Sequence, residues 1–257
     1  MYKPFNLYVG EFCLTPDSGE FITETSGINP LKSNLVSVTP YNYIGAIYQG
    51  ATKGTRNIVL EIEILQNVNE NRESILGILK SGEPVELKFV DDDKTLYIDG
   101  VVESILYDRF EVPKRSKQLV QVSIICFHPY FRSAEITRSG DRQVVAENNG
   151  DFPTDFKIEM YDEYGSTLSA DTFYIQVNDE SLSFETNIAL KKIIIDTEKK
   201  KIEGLNSNDE VVFESKALLH GSVWPQLQPG ENTISQSVMW SSFAYMTIIF
   251  SEEFDKV

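Results

Sequence analysis

The sequence predicts a mainly β protein in two domains, the first with a single α-helix and the second without one. Three observations carry this expectation. Arg56–Leu65 alternates apolar and polar residues with the period of two that marks a half-buried strand. Only Asn69–Lys80 shows the roughly 3.6-residue apolar spacing of a surface helix. Beyond Ser133 the chain breaks into short strand-like runs separated by turn residues about every 8–12 positions, the pattern of a β-sandwich.

Residues 2–9 alternate loosely and predict a first strand. Leu14–Pro30 is rich in turn formers, with Pro16-Asp17-Ser18-Gly19 and Gly27-Ile28-Asn29-Pro30, and reads as a long loop or hairpin arm. Asn34–Gln49 reads as extended, with Tyr41, Tyr43 and Tyr48 as β-formers, and Gly45, Gly50 and Gly54 punctuate a flexible connection. In Arg56–Leu65, Ile58, Leu60, Ile62 and Ile64 share a core face, opposite Asn57, Val59, Glu61 and Glu63. The helix takes Asn69 as N-cap, Glu70 and Glu73 at the positive end of its dipole, and Ile75, Leu76, Ile78 and Leu79 as its apolar stripe. Lys80 and Gly82 supply its stop. Glu83–Val90 and Thr95–Ile105 read as a hairpin around Asp91-Asp92-Asp93-Lys94, and Lys114–Lys117 as a basic turn before the strand Leu119–Phe127.

The domain boundary is placed at the end of Gln121–Ser133. Val122, Ile124 and Cys126 share one strand face, and His128-Pro129 then stops the strand. Proline offers no N–H to a ladder and restricts the residue before it. This divides the chain into 1–133 and 134–257. In the second part Phe156–Met160, Phe173–Val177, Ser183–Thr186, Lys192–Asp196, Lys201–Glu203, Val211–Phe213, Asn232–Ile234 and Ser242–Ser251 are the expected strands.

At 257 residues the chain is long enough for two ordinary cores. No apolar run approaches the about 18 residues of a membrane span, and Met1-Tyr2-Lys3-Pro4 leads into no apolar signal region, so neither a span nor a secretion signal is expected. Cys13 and Cys126 supply no disulfide framework and no metal-ligand spacing, which fits synthesis in a reducing cytoplasm. The net charge of −16 is uneven: residues 1–133 hold 13 Lys and Arg against 17 Asp and Glu, residues 134–257 hold 10 against 22. Such a field repels phosphate backbones and argues against sequence-specific nucleic-acid binding.

The residues of catalysis do not assemble into a motif. His128 and His220 are the only histidines: His128 has no acid at motif spacing, and His220, in His220-Gly221-Ser222-Val223-Trp224, reads as a loop histidine rather than one stacking on a ligand with Trp224. There is no Gly-x-Ser-x-Gly elbow, no phosphate-binding glycine loop and no zinc spacing, and Asp91-Asp92-Asp93 lacks the remainder of a calcium loop. No enzyme activity, cofactor or metal is expected, and a glycosidase-type carboxylate pair remains only because it leaves no fixed sequence signature. Saccharide binding is the rival reading. Tyr161, Tyr164, Phe173, Tyr174, Trp224 and Trp240 are available to stack on sugars, although aromatic residues mostly fill sandwich cores. Trp224, beside Pro225 in a loop, is the best candidate for an outer-surface ligand contact.

Several segments resemble the distal tail protein family of long-tailed (siphovirus-type) bacteriophages and prophages. They are Gly54-Thr55-Arg56-Asn57-Ile58-Val59-Leu60, similar to the family's glycine-x-arginine strand opening; Asn71–Leu79, similar to its single helix; and Leu96-Tyr97-Ile98-Asp99-Gly100 in the following hairpin. Ile124–Ser133 resembles the strand that closes its first domain, with a Pro-aromatic-aromatic-x-Ser end. In the second half Asn148–Pro153, Ile193–Thr197 and Leu227–Asn232 resemble recurring pieces of the family's galectin-like β-sandwich.

The resemblance implies a structural hub: an N-terminal ring-forming domain, 1–133, and an outward β-sandwich, 134–257. It implies a homo-hexameric ring at the tail tip of a virion, joining the tail tube protein to tail-tip (tail-associated) and receptor-binding proteins, with host surface glycan as a further contact. Under it Arg56, Pro129, Tyr130 and Phe131 are the expected subunit or domain interface. Gly45–Gly54 and Leu14–Pro30 are the segments expected to reach a neighbour. The alternative is a carbohydrate-binding or cell-surface adhesion module that forms no ring.

Overall fold

The structure, a computed structural model, describes residues 5–16, 20–42, 44–91, 94–107, 117–162, 167–168, 172–186, 188, 190–236 and 244–257. It is mainly β, with one helix and several antiparallel sheets. The chain forms two units, Met1–Ser133 with Phe254–Val257, and Ala134–Glu253. The last four residues, expected in the second domain, return to the first because the Phe254 side chain is buried in its core.

The first unit contains β1 (Asn6–Val9), β2 (Phe12–Cys13), β3 (Phe21–Ser26), β4 (Asn34–Val38), β5 (Ile47–Thr52), β6 (Arg56–Ile64), α1 (Val68–Ile78), β7 (Pro84–Val90), β8 (Thr95–Tyr107), β9 (Gln118–Cys126) and β10 (Phe131–Ser133). Its main sheet runs β2-β1-β7-β8-β9-β6-β3, with β10 against β8. Strand β6 alternates as its sequence demands: Arg56, Ile58, Leu60, Ile62 and Ile64 are all fully buried. Its neighbour β9 pairs in register from Arg56 opposite Cys126 to Ile64 opposite Gln118.

Two local expectations change. The segment Leu14–Pro30, read as a loop or arm, contains β3, which pairs with β6 from Phe21 opposite Ile64 to Ser26 opposite Val59. Phe21 is buried in the core and holds that edge strand in place. The helix starts at Val68 after a left-handed Asn67, so Asn69 is not its cap. Asparagine tolerates that conformation, the Asn67 carbonyl accepts from Asn71 N at 2.9 Å, and the Asn71 amide donates to Gln66 O. Ile75 and Leu79 are buried while Ile78 is exposed, so the apolar stripe is narrower than expected and the helix stops short of Lys80.

The second unit contains β11 (Ile136–Asp141), β12 (Gln143–Asn148), β13 (Phe156–Asp162), β14 (Thr172–Val177), β15 (Glu180–Glu185), β16 (Lys192–Asp196), β17 (Lys201–Leu205), β18 (Val211–Ser215), β19 (Gly230–Gln236) and β20 (Ala244–Phe250). One sheet runs β11-β20-β13-β16-β17-β18 and the other β12-β19-β14-β15. Their apolar faces share one core, in which Ile158, Ile193 and Ile248 of the first sheet join Phe173, Phe184 and Ile234 of the second. The short strand β21 (Glu253–Phe254) follows.

The recurring pieces of this unit are polar ties. Asn232, fully buried, accepts from Gln228 N and the Asn178 amide, and donates to Gln228 O and Gly230 O, all at 2.7–2.9 Å. The buried Asn148 amide donates to Phe152 O and Leu227 O, and Thr197 Oγ1 accepts from Phe156 N at 2.8 Å. Buried amides and hydroxyls of this kind substitute for ladder bonds where the strands end.

Candidate assembly site

Arg56 is the most unusual residue of the first unit. As the first residue of β6 it lies on the core face, so its guanidinium is buried and must be satisfied internally. Four N–H bonds to main-chain carbonyls do this: Nε to Pro129 O at 2.7 Å, Nη1 to Gly27 O at 2.6 Å and Asn29 O at 2.8 Å, and Nη2 to Asp255 O at 2.7 Å. The Asp255 carboxylate stands 3.6 Å from Nη2, and the guanidinium carbon sits 4.6 Å from the centre of the Phe131 ring. Burial pulls the guanidinium pKa down, and Asp255 opposes that shift. Across the strand pair, burial pushes the Cys126 thiol up to about 11, although Arg56 pulls the other way.

Arg56 therefore joins three segments far apart in sequence: the turn after β3, the corner before β10, and the residues that follow β21. Gly27 is held at φ +83, and a Cβ there would collide with the Asn57 carbonyl oxygen. The turn Gly27-Ile28-Asn29-Pro30 is thus shaped to present two carbonyls to one arginine.

The corner residues divide in role. Phe131 is fully buried, with Phe89 edge-on at 5.5 Å. Pro129 contributes its carbonyl and is half-buried. Tyr130 is half-buried, with its ring edge-on to His128 at 5.4 Å. Arg56 and Phe131 are inside the first unit, leaving Pro129 and Tyr130 as the part of the expected interface set that reaches its surface.

A run of exposed apolar side chains lies elsewhere in the unit. Strands β4 and β5 form a two-stranded hairpin of their own, from Asn34 opposite Thr52 to Val38 opposite Ile47, with a bulge after Val36. Every residue of β4 and β5 except Gly50 is exposed. Register places Val36, Val38 and Ile47 on one face and Leu35 and Tyr48 on the other. Leu35 is 72% exposed and Tyr41 96%, while Ile44 at the tip is wholly exposed. No charged residue occurs from Ser33 to Thr52, in a chain that is 24% charged, so the hairpin offers apolar surface without the usual solubilising groups. The segment expected to reach out at Gly45–Gly54 contributes one strand of this arm. The other comes from Asn34–Val38.

Trp224 lies in a loop, as expected, but is half-buried against the second core. Phe173 is fully buried and Tyr174 partly exposed; Tyr164 and Trp240 fall outside the described residues, as do Tyr43, Asp92, Asp93 and 114–116 of the expected basic turn. Among the described residues no three His, Cys, Asp or Glu side chains gather as a metal ion would need, and no helix is long and apolar enough to cross a membrane.

Sequence reasoning missed Asp255 and the arm's apolar residues. The charge-free window was a readable signal for the arm; nothing near Asp255 in the sequence points to Arg56.

No family model matches the sequence. No curated protein matches it either. Solved structures do. The chain is similar to the SPP1 Dit (gp 19.1) protein, described as a paradigm of hub adsorption apparatus in phages infecting Gram-positive bacteria, with TM-score 0.73 and 17% identity over 98% of this chain and 100% of that one. It is also similar to chains of the phage P2 baseplate in its activated conformation. With calcium the TM-score is 0.56 at 9% identity, covering 100% of both chains; with strontium it is 0.54 at 9%, covering 98% and 99%. At these identities the likeness establishes the fold.

Proposed function

We propose that this chain is a structural hub protein of a phage tail tip or baseplate, building a homomeric ring that connects the tail tube to tail-tip and receptor-binding components. Full-length likeness to a hub protein and to baseplate chains supports the architectural role. The observation that carries self-assembly is the β4–β5 arm. A lone two-stranded hairpin is marginal in water, and one with apolar residues on both faces lowers its free energy by being covered. An arm on each copy that engages the next is a heterologous contact, which closes into a ring when the rotation allows. Construction rather than catalysis is the role, and the virion its location. Pro129 and Tyr130, half-buried in the same unit, are the residues we assign to the border of that contact, as the resemblance implies. A hexamer is the copy number the resemblance implies.

The test is native mass over a concentration series, with negative-stain images of the largest species. A closed ring with a central hole is expected, and Ile44→Asp is expected to reduce it to monomers. A wild-type chain that remains monomeric at every concentration, alone and with its tail tube protein, would overturn the reading.

A further inference from the structure

The arm has no core of its own, so something outside it must fix where it points. Its two feet are Leu31, three residues before β4, and Lys53, directly after β5. Both are held by one carboxylate: Leu31 N donates to Asp255 Oδ1 at 3.3 Å, and Lys53 Nζ forms an ion pair with Asp255 Oδ2. Lys53 and Asp255 are largely buried, with side chains 18% and 17% exposed. Asp255 is itself immobilised twice. Its carbonyl accepts from the buried Arg56, and the preceding Phe254 is inserted in the first core.

We propose that Asp255 is a positioning residue that aims the β4–β5 arm, by clamping both of the arm's feet to the Arg56 cluster. The carbonyl anchors the residue to Arg56, while one carboxylate oxygen holds the incoming foot and the other the outgoing foot. An arm tied at one foot retains a swivel, whereas one tied at both is fixed in direction. Fixing direction in the free chain removes ordering cost from association. The consequence for assembly rests on the proposed ring; the clamp itself rests on geometry alone.

The experiment places spin labels at Ser37→Cys on the arm and Glu83→Cys on the body, in a full-length Cys13→Ser background, at a concentration where the protein is monomeric. A narrow distance distribution is expected for the parent chain. It is expected to broaden in both Asp255→Ala and Lys53→Ala, the second of which leaves every Arg56 partner in place. Lys256→Ala, next in sequence, is expected to leave it narrow. Where the parent assembles, both clamp variants are expected to raise the assembly midpoint by about tenfold or more, the factor that one hydrogen bond to a charged group supplies. Distributions as narrow as the parent's in both variants would overturn the clamp. So would broadening confined to Asp255→Ala, because the carboxylate would then act through Arg56 alone. If the parent forms no ring, the assembly reading fails while the distances still decide the clamp.

Discussion

Asp255 meets Arg56 across 199 positions of sequence, its carbonyl 2.7 Å from Nη2 and its carboxylate 3.6 Å from the same nitrogen. The contact makes the residues that follow the second unit a structural part of the first. It also completes the satisfaction of a buried charge that otherwise relies on carbonyls from two loops.

Replacing Arg56 should therefore be costly. Arg56→Ala leaves four carbonyls without their donor, and Arg56→Lys cannot reproduce the planar fork that reaches three segments. A loss of about 3–5 kcal/mol is expected for the alanine variant, the scale for breaking a buried charged cluster. Urea unfolding followed by a probe in each unit measures it, with the second unit's transition unchanged.

Gly27→Ala tests the shape of the turn that serves Arg56. A left-handed φ and a collision with the Asn57 carbonyl act together, so a loss of about 2–4 kcal/mol is expected. Thermal unfolding beside a Gly10→Ala control, where an added Cβ meets nothing, separates collision from backbone strain.

Cys126 gives a pH signature. Its thiol is protonated in the folded chain up to about 11, against an ordinary 9.0. Between those values the unfolded chain binds fewer protons than the folded one, so stability falls as pH rises through that window. Relative to Cys126→Ala, the wild type is expected to lose about 2 kcal/mol from pH 9 to 11. Denaturant midpoints of the two chains across that range provide the check. Equal slopes would remove burial as the cause.

Asn232→Ala is expected to destabilise the second unit by about 2–4 kcal/mol, because several partners lose a buried amide at once. Hydrogen exchange should rise at Gln228, whose N–H donates to Asn232 Oδ1. Protection of the first unit should not change.

The arm gives the opposite expectation. Ile44→Asp and Tyr41→Asp alter fully exposed residues, so monomer stability should change by less than about 0.5 kcal/mol. The proposed ring is nevertheless expected to be lost. Calorimetry and native mass on the same samples distinguish the two effects.

Much of this was legible in the chain. Alternation along Arg56–Leu65 specified a strand with one buried face, and the same parity placed Arg56 on that face. The proline corner marked where β9 ends, because proline cannot continue a ladder. Turn residues spaced through the second half specified short strands, and short strands with one apolar face must pair into stacked sheets. The charge-free stretch from Ser33 to Thr52 likewise carried the arm's character.

Other features required three dimensions. Leu14–Pro30 looked like a loop because its turn residues outnumber its β-formers, yet Phe21 finds a place in the core and β6 supplies a ladder for it. Asn67 caps the helix instead of Asn69 because the chain must turn sharply out of β6, which no local propensity records. Gly54-Thr55-Arg56 and Pro129-Tyr130-Phe131 were separate motifs in the sequence; in the fold one arginine's donors and one proline's carbonyl make them a single cluster. Local pattern determined which face of β6 and β9 is inside and most of the elements that form, though not β3, because period and turn chemistry act over a few residues. Only the tertiary structure decided what Arg56 binds and that Asp255 holds both feet of the arm, because a buried charge takes its partners from whatever the fold brings within hydrogen-bond reach, at any distance along the chain.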